Sequence, residues 1–269
     1  MRIRITFKVK NRGGLVPFHH QYLIAQVFKG LLLAEGDSAY KNYAFFSFSG
    51  IKGQTKLSRN GLHYNSRKVT IVVSSASREF MDHLVKLVLR ADELSIGNLT
   101  IIPEIAEEEQ AVVFKRETKY VCISPLVLLP PAFNDDSAKA FIPPETDEFS
   151  DLLYDSTITR MTEFGIDTSK IDEVQKFQLV PDAGYLQKIK SSGKKFARIY
   201  PVYDQDVKCE ARGYTFPFTL FAAPEVQDFI FTCGLGSHCY KGFGMLDLAH
   251  SDPTARAVLY ATKEQLVTA

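Results

Sequence analysis

The order strand, helix, strand, strand, helix, strand can be read twice along the 269 residues, and it predicts an α+β chain of two ferredoxin-like (RRM-like) domains in tandem with a C-terminal Gly-rich loop. The length agrees, because one such unit takes roughly 100 residues and the chain is long enough for two buried cores. So does the composition: 45% hydrophobic and 23% charged residues are ordinary globular values and exclude both a disordered chain and a fibrous repeat.

Residues 1–106 form the expected first domain. Ile3, Ile5, Phe7 and Val9 alternate with Arg4, Thr6 and Lys8, the period of two of a half-buried strand. Pro17 suits a first helical turn, and Leu23, Ile24, Val27, Phe28 and Leu31 recur at helical spacing to Leu33. Phe46 and Phe48 alternate in a second strand and Val69–Val73 make a third, with a Gly-punctuated hairpin over Gly50–Ser66 between them. Met81, Leu84, Val85, Val88 and Leu89 repeat at three and four, so Ser77–Arg90 reads as a helix capped by Ser75 or Ser77. Leu99–Ile102 closes the unit as a strand, and acidic Glu104–Gln110 reads as a linker.

Residues 107–269 form the second domain. Val112–Phe114 and Tyr120–Ile123 are strand-like, and Leu129–Pro144 is too proline-rich for regular structure. Phe149, Leu152, Leu153, Ile158 and Met161 predict a helix from Glu145 to Phe164. Strands are expected over Phe177–Val180, Phe196–Tyr203 and Lys208–Phe218. Pro224 starts a further helix in which Val226, Phe229, Ile230 and Cys233 fall at i, i+3, i+4 and i+7, and Phe243–Leu248 ends the copy.

No run approaches the roughly 18 apolar residues of a membrane span, and the alternating N-terminus does not build a signal-peptide core. The chain therefore reads as soluble and cytoplasmic, with no membrane partner. Cys122, Cys209, Cys233 and Cys239 include no Cys-x-x-Cys pair, which fits reduced thiols and leaves no metal site to expect. The net charge is +1, but residues 1–78 hold thirteen Lys and Arg against two acids, a net of +11. The remainder carries −10. Such asymmetry points to a polyanionic partner, because clustered cations release counterions from phosphates. Lys52, Lys56, Arg59, Arg67 and Lys68 lie in or beside the hairpin, where Tyr64 is a candidate for stacking on a base. Lys188, Lys190, Lys194, Lys195 and Arg198 form a second acid-free basic stretch and a second expected contact region.

The loop Gly234-Leu-Gly236-Ser-His-Cys-Tyr-Lys-Gly242-Phe-Gly244 lies between the last helix and the last strand. A phosphate-binding P-loop needs Lys then Ser or Thr after its second glycine, whereas Lys241 precedes Gly242. A dinucleotide fingerprint needs glycine at position 239, which is cysteine, and follows a strand. Both small-nucleotide readings fail. Glycines flanking five residues instead let backbone N–H groups approach a phosphate chain, with Ser237, His238 and Lys241 adding side chains. Gly236 and Gly242 are expected to serve binding more than folding.

This G-x-G-x5-G-x-G loop resembles the C-terminal signature of the CRISPR repeat-processing endoribonucleases, the sixth CRISPR-associated protein family of the RAMP superfamily. The resemblance extends to the N-terminus, where a strand, a proline and the segment Val16-Pro-Phe-His-His-Gln-Tyr22 precede the Phe46–Ser49 strand. It implies two ferredoxin-like domains, CRISPR repeat RNA as partner, an RNA cleft lined by the basic stretches and the Gly-rich loop, and a role in antiviral defence. It implies cleavage without metal or cofactor, leaving 2′,3′-cyclic phosphate and 5′-hydroxyl ends. Effector-complex subunits and a homodimer are further partners it admits. The alternative is a non-catalytic subunit that holds repeat RNA within an effector complex.

The resemblance also implies a general-base histidine between the first helix and the next strand and a tyrosine inside that helix. Here Leu33–Ala44 contains no histidine, and Phe28 stands at the tyrosine position. Other residues must then deprotonate the 2′-hydroxyl, protonate the leaving 5′-oxygen and supply positive charge. Histidine suits the first two roles because its pKa lies near neutrality. His19 and His20 stand at the predicted start of the first helix. On a wheel of about 100° per residue, His19 shares a polar stripe with Tyr22, Gln26 and Lys29, and His20 points with Ile24, Val27 and Leu31. The choice between them stays open, with Lys29 or Lys41 supplying charge and Tyr40, Lys41 or His238 next in line. His63 lies in the basic hairpin, while His83 and His250 read as structural or exposed.

Overall fold

A computed structural model describes residues 1–34, 39–129, 142–171, 177–193, 195–204, 207–249 and 251–260. They divide into two compact units, residues 1–111 with 240–242 and the segment from Asp252 onward, and residues 112–239 with 243–251. The C-terminal segment thus joins the first unit, where a linear division after residue 106 places it with the second. His250, Lys194 and most of the proline-rich stretch lie outside the described residues. No described helix is long and apolar enough to cross a membrane.

The first unit runs β1 (Arg2–Val9), β2 (Gly14–Val16), α1 (Gln21–Ala34), β3 (Phe46–Phe48), β4 (Thr55–Leu57), β5 (Leu62–Tyr64), β6 (Lys68–Ser75), α2 (Arg78–Arg90), β7 (Leu94–Ile96) and β8 (Leu99–Glu109). Its main sheet is antiparallel in the order β8, β1, β6, β3. That is fourth, first, third, second, the order of the split βαβ unit. Ile3, Ile5 and Phe7 are fully buried against Ile71, Val73, Phe80, Leu84 and Val88, so the period-two strands and the α2 stripe close one core. Ser77 caps α2 by accepting from the Phe80 amide at 3.1 Å. Helix α1 starts at Gln21 and not at Pro17, because the His20 carbonyl accepts from the amides of Leu23 and Ile24. His19 and His20 therefore precede the helix, and the wheel assignment of His19 loses its basis.

The expected linker is strand. Glu104–Glu109 completes β8, because its carboxylates find cations on neighbouring elements. Glu104 pairs with Lys68 at 2.7 Å, Glu108 with Arg78 at 3.6 Å, and Glu109 with Arg2 at 3.0 Å and Arg4 at 3.4 Å. Arg2 and Arg4 are consequently buried, so the start of β1 is covered on both faces.

The second unit contains β9 (Glu117–Cys122), β10 (Leu126–Val127), α3 (Asp147–Phe164), β11 (Gln178–Pro181), α4 (Ala183–Ser191), β12 (Ala197–Asp204), β13 (Val207–Tyr214), β14 (Pro217–Phe221), α5 (Pro224–Cys233) and β15 (Leu246–Leu248). The sheet order β15, β9, β14, β11 repeats the fourth, first, third, second pattern, and β10, β13 and β12 form a separate sheet. Val112–Phe114 is not a strand, and β13 and β14 are two strands where one was expected. Thr146 caps α3 and Gly165, at φ 94°, ends it in the left-handed conformation. A last strand, β16 (Ala257–Leu259), lies beside β8 in the first unit.

Candidate functional site

In the second unit the Gly-rich loop leaves α5 at Gly234 and folds back on itself. The Leu235 amide donates to Gly244 O at 2.8 Å, the Gly244 amide to Pro125 O at 2.8 Å, and the Ser237 amide to Val127 O at 2.8 Å. Ser237 Oγ accepts from the Leu129 amide at 3.1 Å. Gly236 and Gly244 sit at φ 82° and 65°; a Cβ would lie 2.4 Å from Val127 O at the first and 1.9 Å from Leu235 O at the second. Both positions are thus required by the loop's own packing, so Gly236 carries a folding requirement where the sequence alone suggested a binding one.

One side chain that the sequence does not single out organises this turn. Arg160 of α3 donates to Cys233 O at 2.7 Å, Gly234 O at 2.8 Å and Gly236 O at 3.3 Å. Its guanidinium also lies 5.5 Å from the Phe229 ring centre. Cys239, buried beside it, donates to Gly236 O at 3.4 Å, and burial pushes its thiol pKa up.

Tyr240–Gly242, the middle of the loop, belong to the first unit. Gly242, at φ 91°, is packed so closely that a Cβ would meet the Phe48 ring at 2.6 Å and Gln21 Cβ at 3.0 Å. This part of the loop therefore abuts the first residue of α1. Gln21 is itself buried, and Phe48 packs edge-on against Phe28 with ring centres 5.2 Å apart. Lys241 Nζ lies 5.4 Å from the Tyr240 ring centre.

Immediately before α1, His20 is 6% exposed and both its nitrogens are engaged. Nδ1 lies 3.0 Å from Pro17 O, which can only accept, and Nε2 accepts from the Ile51 amide at 3.4 Å. Those partners fix the Nδ1–H tautomer, and burial lowers the ring's pKa below its ordinary value. Gly50 leaves room for it, since a Cβ there would stand 3.2 Å from Nε2. His19 is half-buried, and its proximity also lowers the His20 pKa.

Lys29 and Lys41 are exposed, and Tyr40 packs in a ring cluster with Tyr43, Phe80 and His83. His63 Nδ1 lies 2.9 Å from Gly13 O. His238 is half-buried at φ 58°.

The basic hairpin exists as β4 and β5, with β2 on its other side. The register aligns Val16, Leu62 and Leu57 in one row and Leu15, His63 and Lys56 in the adjacent row. Lys52, Lys56, Arg59, Arg67 and Lys68 are all exposed, and Lys68 pairs with Glu104. Tyr64 is not available for stacking: it is 1% exposed, its hydroxyl donates to Ile51 O at 2.9 Å, and burial pushes its pKa up to about 12. Residues 1–111 hold fifteen Lys and Arg against ten acids, so the excess of +11 over residues 1–78 becomes +5 over this stretch of the unit. In the second unit Lys188 and Lys190 lie on the exposed helix α4, and Lys195 and Arg198 are exposed after it. Among the described residues no group of three or more His, Cys, Asp or Glu is placed to hold a metal ion.

A family model described as "CRISPR associated protein Cas6, C-terminal" matches residues 106–248, more than half of the chain. The curated protein "CRISPR-associated endoribonuclease Cas6 1" of Methanocaldococcus jannaschii is 21% identical over 254 residues, covering 91% of this chain and 92% of its own. Among solved structures, a Cas6-related protein from Pyrococcus furiosus superposes with a TM-score of 0.77 at 18% identity, over 94% of this chain and 99% of the other. An RAMP protein described as binding different RNA substrates gives 0.76 at 19%, over 93% and 100%. These folds share the tandem ferredoxin-like architecture seen here. The match across the Gly-rich half, together with the two split βαβ units, establishes that the chain belongs to the Cas6 family of CRISPR-associated proteins.

Proposed function

We propose that the protein binds CRISPR repeat RNA and cleaves it by metal-independent acid–base chemistry. The observation that carries the reading is the packing of Gly242 on Gln21 and Phe48, which brings this part of the Gly-rich loop to the start of α1. Backbone N–H groups at the start of a 14-residue helix favour a phosphate, and the exposed hairpin cations supply affinity along the RNA backbone. The attacking 2′-oxygen forms a bond to phosphorus while the bond to the 5′-oxygen breaks. A base takes the 2′-hydroxyl proton and an acid protonates the 5′-oxygen, leaving a 2′,3′-cyclic phosphate and a 5′-hydroxyl. His19 is the better placed of the two histidines for a proton transfer, because both ring nitrogens of His20 are taken up by Pro17 O and the Ile51 amide. Lys29 or Lys41 provides positive charge, with Tyr40 and His238 as further candidates for proton transfer.

A second reading is a subunit that binds repeat RNA without cutting it. It is favoured by the lack of histidine between Leu33 and Ala44 and by the engaged nitrogens of His20. Incubating repeat RNA with the protein in EDTA separates the two: discrete fragments support the nuclease, and tight binding without fragments supports the subunit.

A further inference from the structure

We propose that Arg160 is a positioning residue that presets the Gly-rich loop for RNA, an assignment that rests on the RNA-binding reading above. Arg160 is the one basic residue in α3, which also carries Asp147, Glu148, Asp151, Asp155 and Glu163. Its guanidinium nevertheless turns to the carbonyls of Cys233, Gly234 and Gly236, at 2.7, 2.8 and 3.3 Å. Charged donors make the stronger hydrogen bonds, and the planar fork of Arg holds several acceptors in one geometry.

The consequence concerns the sign of the loop's surface. Carbonyls at the end of a helix form the negative end of its dipole and repel a phosphate. Gathering the Cys233 carbonyl at the end of α5 and those of Gly234 and Gly236 onto one cation offsets that repulsion and pins the peptide planes whose N–H groups donate to Ile230 O, Gly244 O and Val127 O, so the turn that presents the rest of the loop is held on both sides. The glycines supply the positive φ angles that the turn needs, and Arg160 selects one arrangement from those that glycine allows. An unstrutted loop would lose that preorganisation before any RNA contact changed.

The test uses the full chain with Arg160→Ala and Arg160→Lys. Cys239, buried and bonded to Gly236 O, reports on the loop, and Cys122, buried in β9, reports on the sheet of the same unit. Both are free thiols, so N-ethylmaleimide labelling followed by peptide mass spectrometry reads them separately. Arg160→Ala is expected to label Cys239 at least about tenfold faster, the equivalent of one charged hydrogen bond, with Cys122 unchanged. The Kd for a single CRISPR repeat transcript rises by a similar factor, and Arg160→Lys falls between. Wild-type labelling of Cys239 in a folded Arg160→Ala protein overturns the proposal. So does a loosened loop that binds the transcript with unchanged Kd. Should Arg160→Ala expose Cys122 as well, Arg160→Lys decides by the same two criteria. A wild-type protein that fails to bind the transcript refutes the RNA reading and, with it, the positioning role; the labelling then still reports whether Arg160 holds the loop.

Discussion

Replacing His20 with alanine separates a structural imidazole from a catalytic one. The substitution removes the bond from Nδ1 to Pro17 O, leaves the Ile51 amide without its acceptor, and opens a void at a position that is 6% exposed. A lost hydrogen bond contributes about 1 kcal/mol and an orphaned buried amide about 1–3 kcal/mol, so the expected loss is about 2–4 kcal/mol. Against a total stability of about 5–15 kcal/mol, most molecules stay folded, and cleavage per folded molecule should change less than about threefold. A general acid or base instead contributes about 10²–10⁴-fold. Urea unfolding and single-turnover cleavage at saturating protein measure the two effects on one preparation. A cleavage loss beyond a hundredfold with an unmoved urea midpoint would refute this argument and make His20 the titrating group. The same ring has a pH signature. Its folded pKa lies below the ordinary 6.5, so below that value the unfolded chain takes up the proton first and stability falls as pH falls. His20→Ala should remove that part of the acid destabilisation.

Other outcomes follow from the same geometry. Alanine at both Lys56 and Arg59 should flatten the salt dependence of RNA binding by about 0.9 log unit for each phosphate no longer neutralised, if the duplex rule applies; an unchanged slope would remove the hairpin from the interface. Gly244→Ala places a Cβ 1.9 Å from Leu235 O at φ 65°, so thermal unfolding should show a loss of more than about 2 kcal/mol. Glu109→Gln leaves Arg2, Arg4 and Arg256 grouped without their carboxylate and should cost about 3–5 kcal/mol by urea titration. A loss under about 1 kcal/mol, the scale of an exposed pair, would mean that the arginines are neutralised elsewhere.

The fold was legible wherever burial follows a simple period. The alternation in β1 and the apolar stripes of α2 and α5 mark the faces that meet the cores, and the cap Ser77 is local. Residues 104–110 misled because their carboxylates look like solvated chain until Lys68, Arg78, Arg2 and Arg4 are seen opposite them. Helix α4 escaped because it buries no residue and so has no stripe. At the site, the Gly-rich loop was readable as a motif, but its strut was not. Arg160 grips backbone carbonyls there, and backbone partners leave no mark in the identities of the residues that carry them. Likewise, nothing in the pair His19–His20 tells which ring faces Pro17 O and Ile51 N.

The most direct test of the central claim is the chemistry of the RNA ends. Repeat RNA incubated with the protein in excess EDTA should yield discrete fragments whose upstream pieces end in 2′,3′-cyclic phosphate and whose downstream pieces accept phosphate from a kinase at a free 5′-hydroxyl. Intact RNA in a tight complex would contradict cleavage, and fragments that appear only with a divalent cation and carry 5′-phosphate would contradict the proposed attack by the 2′-oxygen.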